Sequence, residues 1–177
     1  MNTKAVALLS LATALIATNA TVAKPIKNDV DVSIDFERPE KFTDIEAGAL
    51  TTEKEQEYIL SRISDAFTDG AKRYLPNGYS IEISVNDVDL AGAIEPWQYR
   101  YDDVRIMREI YPPRLKFDYA IRDANNEIVS DGYVNLKDYN YLLNPLRFTS
   151  QERTAFHVTS LVKDWLKGDV GRELKDG

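Results

Sequence analysis

Residues 52–85, TEKEQEYILSRISDAFTDGAKRYLPNGYSIEISV, decide the fold, because they hold one helix, one stop and one strand in direct succession. Thr52 followed by Glu55 makes a capping box: the threonine hydroxyl accepts from the amide three residues on, and the glutamate reaches back. Ile59, Ile63, Ala66, Phe67 and Tyr74 recur at helical spacing. Glu53, Glu55 and Glu57 lie near the positive end of the helix dipole, with Lys72 and Arg73 near the negative end. Pro76-Asn77-Gly78 stops the helix and turns the chain. Ile81, Ile83 and Val85 then alternate with Ser80, Glu82 and Ser84, the period of a strand with one dry face.

On the N-terminal side, Val30, Val32, Ile34 and Phe36 alternate with Asp31, Ser33 and Asp35, which predicts an earlier strand ending at Arg38-Pro39. Phe42, Ile45 and Leu50 have no period and are expected to pin a loop onto the core. On the C-terminal side, residues 86–96 (NDVDLAGAIEP) are small and acidic and read as a loop. Trp97, Tyr99 and Tyr101 alternate with Gln98 and Arg100, whereas residues 102–111 fit a short helix and an irregular strand equally well. Pro112-Pro113 lacks two backbone donors, which excludes a central strand at that point.

Leu115, Phe117, Tyr119 and Ile121 alternate with Lys116, Asp118, Ala120 and Arg122. Asp123-Ala124-Asn125-Asn126 then supplies turn residues and Ile128 to Leu136 returns, which predicts a hairpin. A short helix is expected at Tyr139 to Leu143, ended by Asn144-Pro145. Thr149-Ser150-Gln151-Glu152 repeats the capping-box pattern, and Ala155, Val158, Leu161, Val162, Trp165 and Leu166 form the stripe of a last helix closed by Gly168. This order predicts a two-layer α+β domain: one mainly antiparallel sheet of about four strands with two main helices on one face.

The first residues carry an address. Lys4 precedes an apolar run, Ala5 to Ile16, that is too short to span a bilayer, which needs about 20 such residues. With small residues at Thr21 and Ala23, residues 1–23 read as a secretory signal peptide cleaved near Ala23, which implies a periplasmic or secreted bacterial protein. Residues 24–29 then form a flexible leader, 30–168 a single domain and 169–177 a charged tail. No membrane span is expected after signal removal. The formal charge of -7 argues against nucleic acid or anionic lipid as a partner, since both need a basic surface. Cys 0 excludes thiol catalysis, thiolate metal sites and disulfides.

The single histidine, His157, lies on the final helix beside Phe156 and Val158, so it reads as a packed side chain rather than a catalytic base. Asp87, Asp89, Gly92 and Glu95 start like a calcium loop, but Ala91 and Gln98 stand where oxygen ligands are needed. No metal and no cofactor is expected. The dense aromatic and arginine set Trp97, Tyr99, Tyr101, Arg105, Arg108 and Tyr111 is the candidate binding surface, because such residues bury large areas at low rotamer cost. Its bland counterpart is the dry face of a strand with arginines paired to nearby acids. Asp87, Asp89, Asp102 and Asp103 are the candidates for a carboxylate-dependent hydrolase, the alternative to a binding domain. No catalytic residue stands out beyond them.

The phrases RYLPNGYSIEISVNDVDLAG, EPW and DDVRIMREIYPPRLKFDYAIRDANNEIVSDG, with DFERPEKFTDI nearer the start, resemble the bacterial exported family DUF3016. The likeness runs from about Val30 to Trp165. It implies an exported protein of one domain and assigns no activity and no catalytic residue. The expected role is therefore a periplasmic, non-catalytic binding domain acting on an envelope protein or a cell-wall glycan.

Overall fold

The computed structural model describes residues 29–46, 51–95, 105–143 and 150–176. Its main sheet has the strand order β1-β2-β5-β6, built from β1 (Asp31–Phe36), β2 (Ser80–Asp89), β5 (Arg114–Arg122) and β6 (Ile128–Lys137). Two short strands, β3 (Ala93–Ile94) and β4 (Arg105–Ile106), pair with each other beside it. The fold is mixed α+β, as the periodicity predicts. The sheet is mixed too: β1 runs parallel to β2, and the β2–β5 and β5–β6 pairs are antiparallel.

Helix α1 (Glu53–Tyr74) starts with the expected capping box, in which Thr52 Oγ1 accepts from the Glu55 amide and Glu55 Oε2 accepts from the Thr52 amide at 2.8 Å. It buries Ile59, Ile63, Ala66, Phe67, Gly70 and Ala71. Helix α2 (Ser150–Trp165) adds Ala155, Val158, Val162 and Trp165, and the inner sheet face contributes Ile81, Ile83, Val85, Leu115, Phe117 and Ile121. Phe67, Phe117 and Trp165 meet edge to face, the two closest rings, Phe117 and Trp165, at 4.8 Å between centroids. Burying these three rings is a large apolar gain, since an aromatic side chain of this kind buries about 150–250 Å².

Three local expectations need correction. Residues 86–89 are not loop: β2 continues to Asp89, with a bulge between Val85 and Asp87. Before the bulge the odd-numbered residues 81, 83 and 85 face the core. One extra residue, Asn86, reverses the parity, so that Val88 is buried while Asp87 and Asp89 stand on the outer face. Gly168 does not close the last helix. The chain passes through one π turn (Leu166–Val170) into α3 (Gly171–Asp176), held by the buried Leu166 and Val170. A Cβ on Gly70 would run into the buried Leu166 side chain, so the glycine gives that side chain its room against α1. Finally, the expected short helix near Tyr139 is a 3₁₀ turn at Tyr141–Leu143.

Pro112 and Pro113 stop just short of β5, a central strand, as their missing donors require. The signal segment, most of the leader, and the Thr149 cap of α2 lie outside the described residues.

Candidate functional site

The bulge in β2 is what assembles the ionic groups of the outer face. Opposite it on β5, Lys116 pairs in register with Asp87, and Arg114 with Asp89. Lys116 Nζ donates to Asp87 Oδ2 at 2.9 Å, and Arg114 reaches Asp89 at 3.2 Å and Asp87 at 3.7 Å. Thr43 adds its amide and its hydroxyl to the two Asp87 oxygens. Burial alone would lift the Asp87 carboxyl, but the hydrogen bonds from Lys116 and Thr43 outweigh it and hold Asp87 below the ordinary aspartate value. Asp89 moves the other way. Its burial and the nearby charges of Asp44 and Asp87 raise it against the pull of Arg114 and Arg105.

After β1 the chain swings out through Arg38, in the left-handed region at φ 56°, and a 3₁₀ turn at Pro39–Lys41. It returns beside the end of β2, where Asp44 makes a parallel bridge to Asp89: the Asp44 amide donates to Val88 O and its carbonyl accepts from Leu90. Arg105, on β4, grips this returning loop. Its guanidinium meets both Asp44 oxygens, at 3.1 and 2.5 Å, and donates to the carbonyls of Ala91, Gly92, Leu90 and Glu46. The Arg105 side chain is only 7% exposed. Arg105 therefore corrects the expected contact surface: its donors are spent inside the molecule, and it acts as a clamp joining three segments.

Beyond the clamp lies a carboxylate that is fully buried. Glu95 is 1% exposed and accepts from Arg108 at 2.9 Å and from the Tyr111 hydroxyl at 3.1 Å. Burial, reinforced by the Glu95 hydrogen bond and charge, raises the Tyr111 hydroxyl. Tyr141, fully buried, donates its hydroxyl to Arg108 O at 2.7 Å and so fixes the backbone of this turn. Gly92 closes the arrangement at φ 77°, and a Cβ there would lie 2.8 Å from Ile106 O.

Between the returning loop and the turn before β5 opens a cleft of about 560 Å³. Phe42, Ile45, Ile94, Ile110 and Pro112 give it an apolar part, and Tyr111 lines it as well. Its charged lining is four carboxylates, Glu40, Asp44, Glu46 and Asp89, against two cations, Arg114 and Lys137. Ile110 is 71% exposed.

Of the expected binding residues, Tyr111 lines this cleft, Arg108 is half exposed next to it through Glu95, and Arg105 is interior. Trp97, Tyr99 and Tyr101 lie outside the described residues, as do Asp102 and Asp103 of the alternative acidic site. Of the remaining pair, Asp89 lines the cleft and Asp87 stands behind it in the Thr43–Lys116 network. Sequence reasoning misses Glu40, Asp44 and Ile110 as lining residues, and the one sequence signal is that Ile110 stands two residues before the Pro112-Pro113 pair. His157 is 4% exposed, on the helix side, with its ring against that of Tyr141. Among the described residues, no group of His, Cys, Asp and Glu is arranged to hold a metal ion, and no helix is long and apolar enough to cross a membrane.

No curated protein matches the chain. Among solved structures it is similar to a single-substitution variant of the PelC dodecamer from Paraburkholderia phytofirmans, at 10% identity and TM-score 0.34, over 77% of this chain and 84% of that one. It is also similar to a minor lipoprotein from Acinetobacter baumannii, at 6% identity and TM-score 0.30, over 84% of this chain and 94% of that one. At such TM-scores neither likeness bears on the reading of the cleft. The sequence itself is more informative: the profile of DUF3016, described as a protein of unknown function, matches residues 30–168, and the chain belongs to that family.

Proposed function

We propose that this chain is a non-catalytic binding domain of the bacterial cell envelope, exported through its first 23 residues. In this reading the cleft beside Ile110 and Tyr111 receives a segment of an envelope protein or of the wall glycan, and Trp97, Tyr99, Tyr101 and Arg108 are proposed to contact the same ligand. One observation carries the reading: every carboxylate set deep in the site is already engaged, Asp44 by Arg105, Asp89 by Arg114 and Glu95 by Arg108 and Tyr111. A general acid–base pair needs a carboxyl that can exchange its proton with substrate, and such pairing opposes that. The exposed Ile110 and the apolar lining suit contact with a ligand face.

The test is capture of envelope protein and of purified wall glycan by the wild-type chain, by Ile110→Glu and by Trp97→Ala. Loss of capture in both variants with unchanged folding supports the proposal; capture indifferent to both removes it.

A hydrolase has one observation in its favour. Asp87 and Asp89, neighbours on one strand face, are shifted in opposite directions, and the raised member lines the cleft. Cleavage of wall glycan or peptide that disappears in Asp89→Asn would establish that reading over the binding one.

A further inference from the structure

Strand β6 is an edge of the main sheet, and among the described residues nothing pairs with its free side. An open edge of this length is a template for another strand unless something blunts it. We propose that β6 pairs antiparallel with β6 of a second copy, about a two-fold axis at Val134, joining two four-stranded sheets into one.

The backbone sets which registers are available. Asp138 N donates to Pro113 O at 3.3 Å, so the even-numbered residues of β6 point their backbone groups at β5. The amides and carbonyls of Asp131, Tyr133, Asn135 and Lys137 therefore point outward along the free edge. Pairing about Val134 sets Asp131 opposite Lys137 of the second copy, and Tyr133 opposite Asn135. All of these are residues with outward-pointing backbone groups, so they can exchange hydrogen bonds.

Side chains select among the registers. The same four residues are exposed on the outer face, Tyr133 at 58%. Centred on Val134, the pairing makes two symmetric Asp131–Lys137 contacts and brings the two Tyr133 rings to diagonal positions, within reach of each other. On the inner face, Leu136 comes opposite Gly132, which offers it space, and Val134 meets Val134 at the closer, non-hydrogen-bonded spacing. Registers centred one residue away on either side lose the charge pairing. The opposite edge is unsuited to the same use: β1 presents Asp31 and Asp35 on its outer face, and antiparallel pairing about Ser33 would set like charges against each other.

The experiment is sedimentation of the purified protein over a concentration series, with Asp131→Lys, Lys137→Asp, the double exchange and Tyr133→Pro. Tyr133→Pro removes an amide that points away from β5, so the fold is retained while the edge is blocked, which circular dichroism checks. The expected result is a wild-type dimer whose dissociation constant rises about tenfold or more in each single exchange and recovers in the double exchange. Tyr133→Pro should be monomeric. A wild-type chain that stays monomeric, or a dimer indifferent to the single exchanges or to Tyr133→Pro, overturns the proposal.

Discussion

Arg105 and Asp44, separated by 61 positions in the chain, meet fork to fork with distances of 3.1 and 2.5 Å in a place where the Arg105 side chain is 7% exposed. The pair is what holds the loop after β1 against the end of β2. It also fixes one wall of the cleft, since Asp44, Ile45 and Glu46 all line it.

Arg105→Ala leaves the Asp44 carboxylate and four backbone carbonyls without their shared donor. Breaking a buried pair from one side costs about 3–5 kcal/mol. Chemical denaturation should give a loss in that range, and a loss below about 1 kcal/mol, the worth of an exposed pair, would show that the clamp is ornamental.

Phe117→Ala empties the centre of the aromatic trio, where Phe117 is 0% exposed and packs on Phe67 and Trp165. The expected cost is about 3–5 kcal/mol. Near-ultraviolet circular dichroism should lose intensity as well, because Trp165 loses the ring nearest to it.

Gly92→Ala places a side chain at φ 77° and pushes its Cβ against the Ile106 carbonyl and Met107 Sδ. Strain of this kind costs about 1–3 kcal/mol. Thermal unfolding should register it; a variant as stable as wild type would mean that the 92–106 contact gives way freely.

Acid should weaken the fold in two windows. Burial lowers the His157 imidazole, with the Asp138 charge opposing. The unfolded chain therefore takes up this proton first, and stability falls as pH drops below 6.5, until the folded state is protonated too. Asp87, held below 3.8, contributes stability that is present above that pH and lost as pH falls through its folded value. The raised Asp89 works against this: above 3.8 its contribution declines as pH rises through its folded value. Unfolding free energy measured from pH 7 to pH 5 should fall in the wild type and stay flatter in His157→Phe. Equal slopes would remove His157 as the cause.

Ile110→Glu should leave the unfolding free energy within about 0.5 kcal/mol of wild type, since an exposed side chain contributes little to stability. A larger shift would mean that Ile110 is held by the fold rather than offered to a ligand.

Much of this fold is legible because local periods and long-range packing agree. The α1 stripe, the alternation in β1 and β5 and the turn after Ile121 each say the same thing as the finished structure. The end of β2 is different. Its apolar positions switch from 81, 83 and 85 to 88 and 90, and that change of parity is the trace of a bulge, but the surrounding aspartates disguise it as a loop. The cleft is harder still. Asp44 and Arg105 have nothing local in common, so an arginine among tyrosines reads as a surface contact until the sheet brings its acid alongside.

The parallel pairing of β1 with β2 has a kinetic corollary. The two strands are separated by all of α1, so their ladder closes a long loop, whereas β5 and β6 are joined by a few turn residues. Assembly then proceeds from the hairpin toward β1, which docks late and detaches early. Amides of Ser33 and Asp35, which face β2, would exchange with solvent ahead of those at Phe117 and Tyr119, and the wall of the cleft that follows β1 would be the first part of the molecule to loosen.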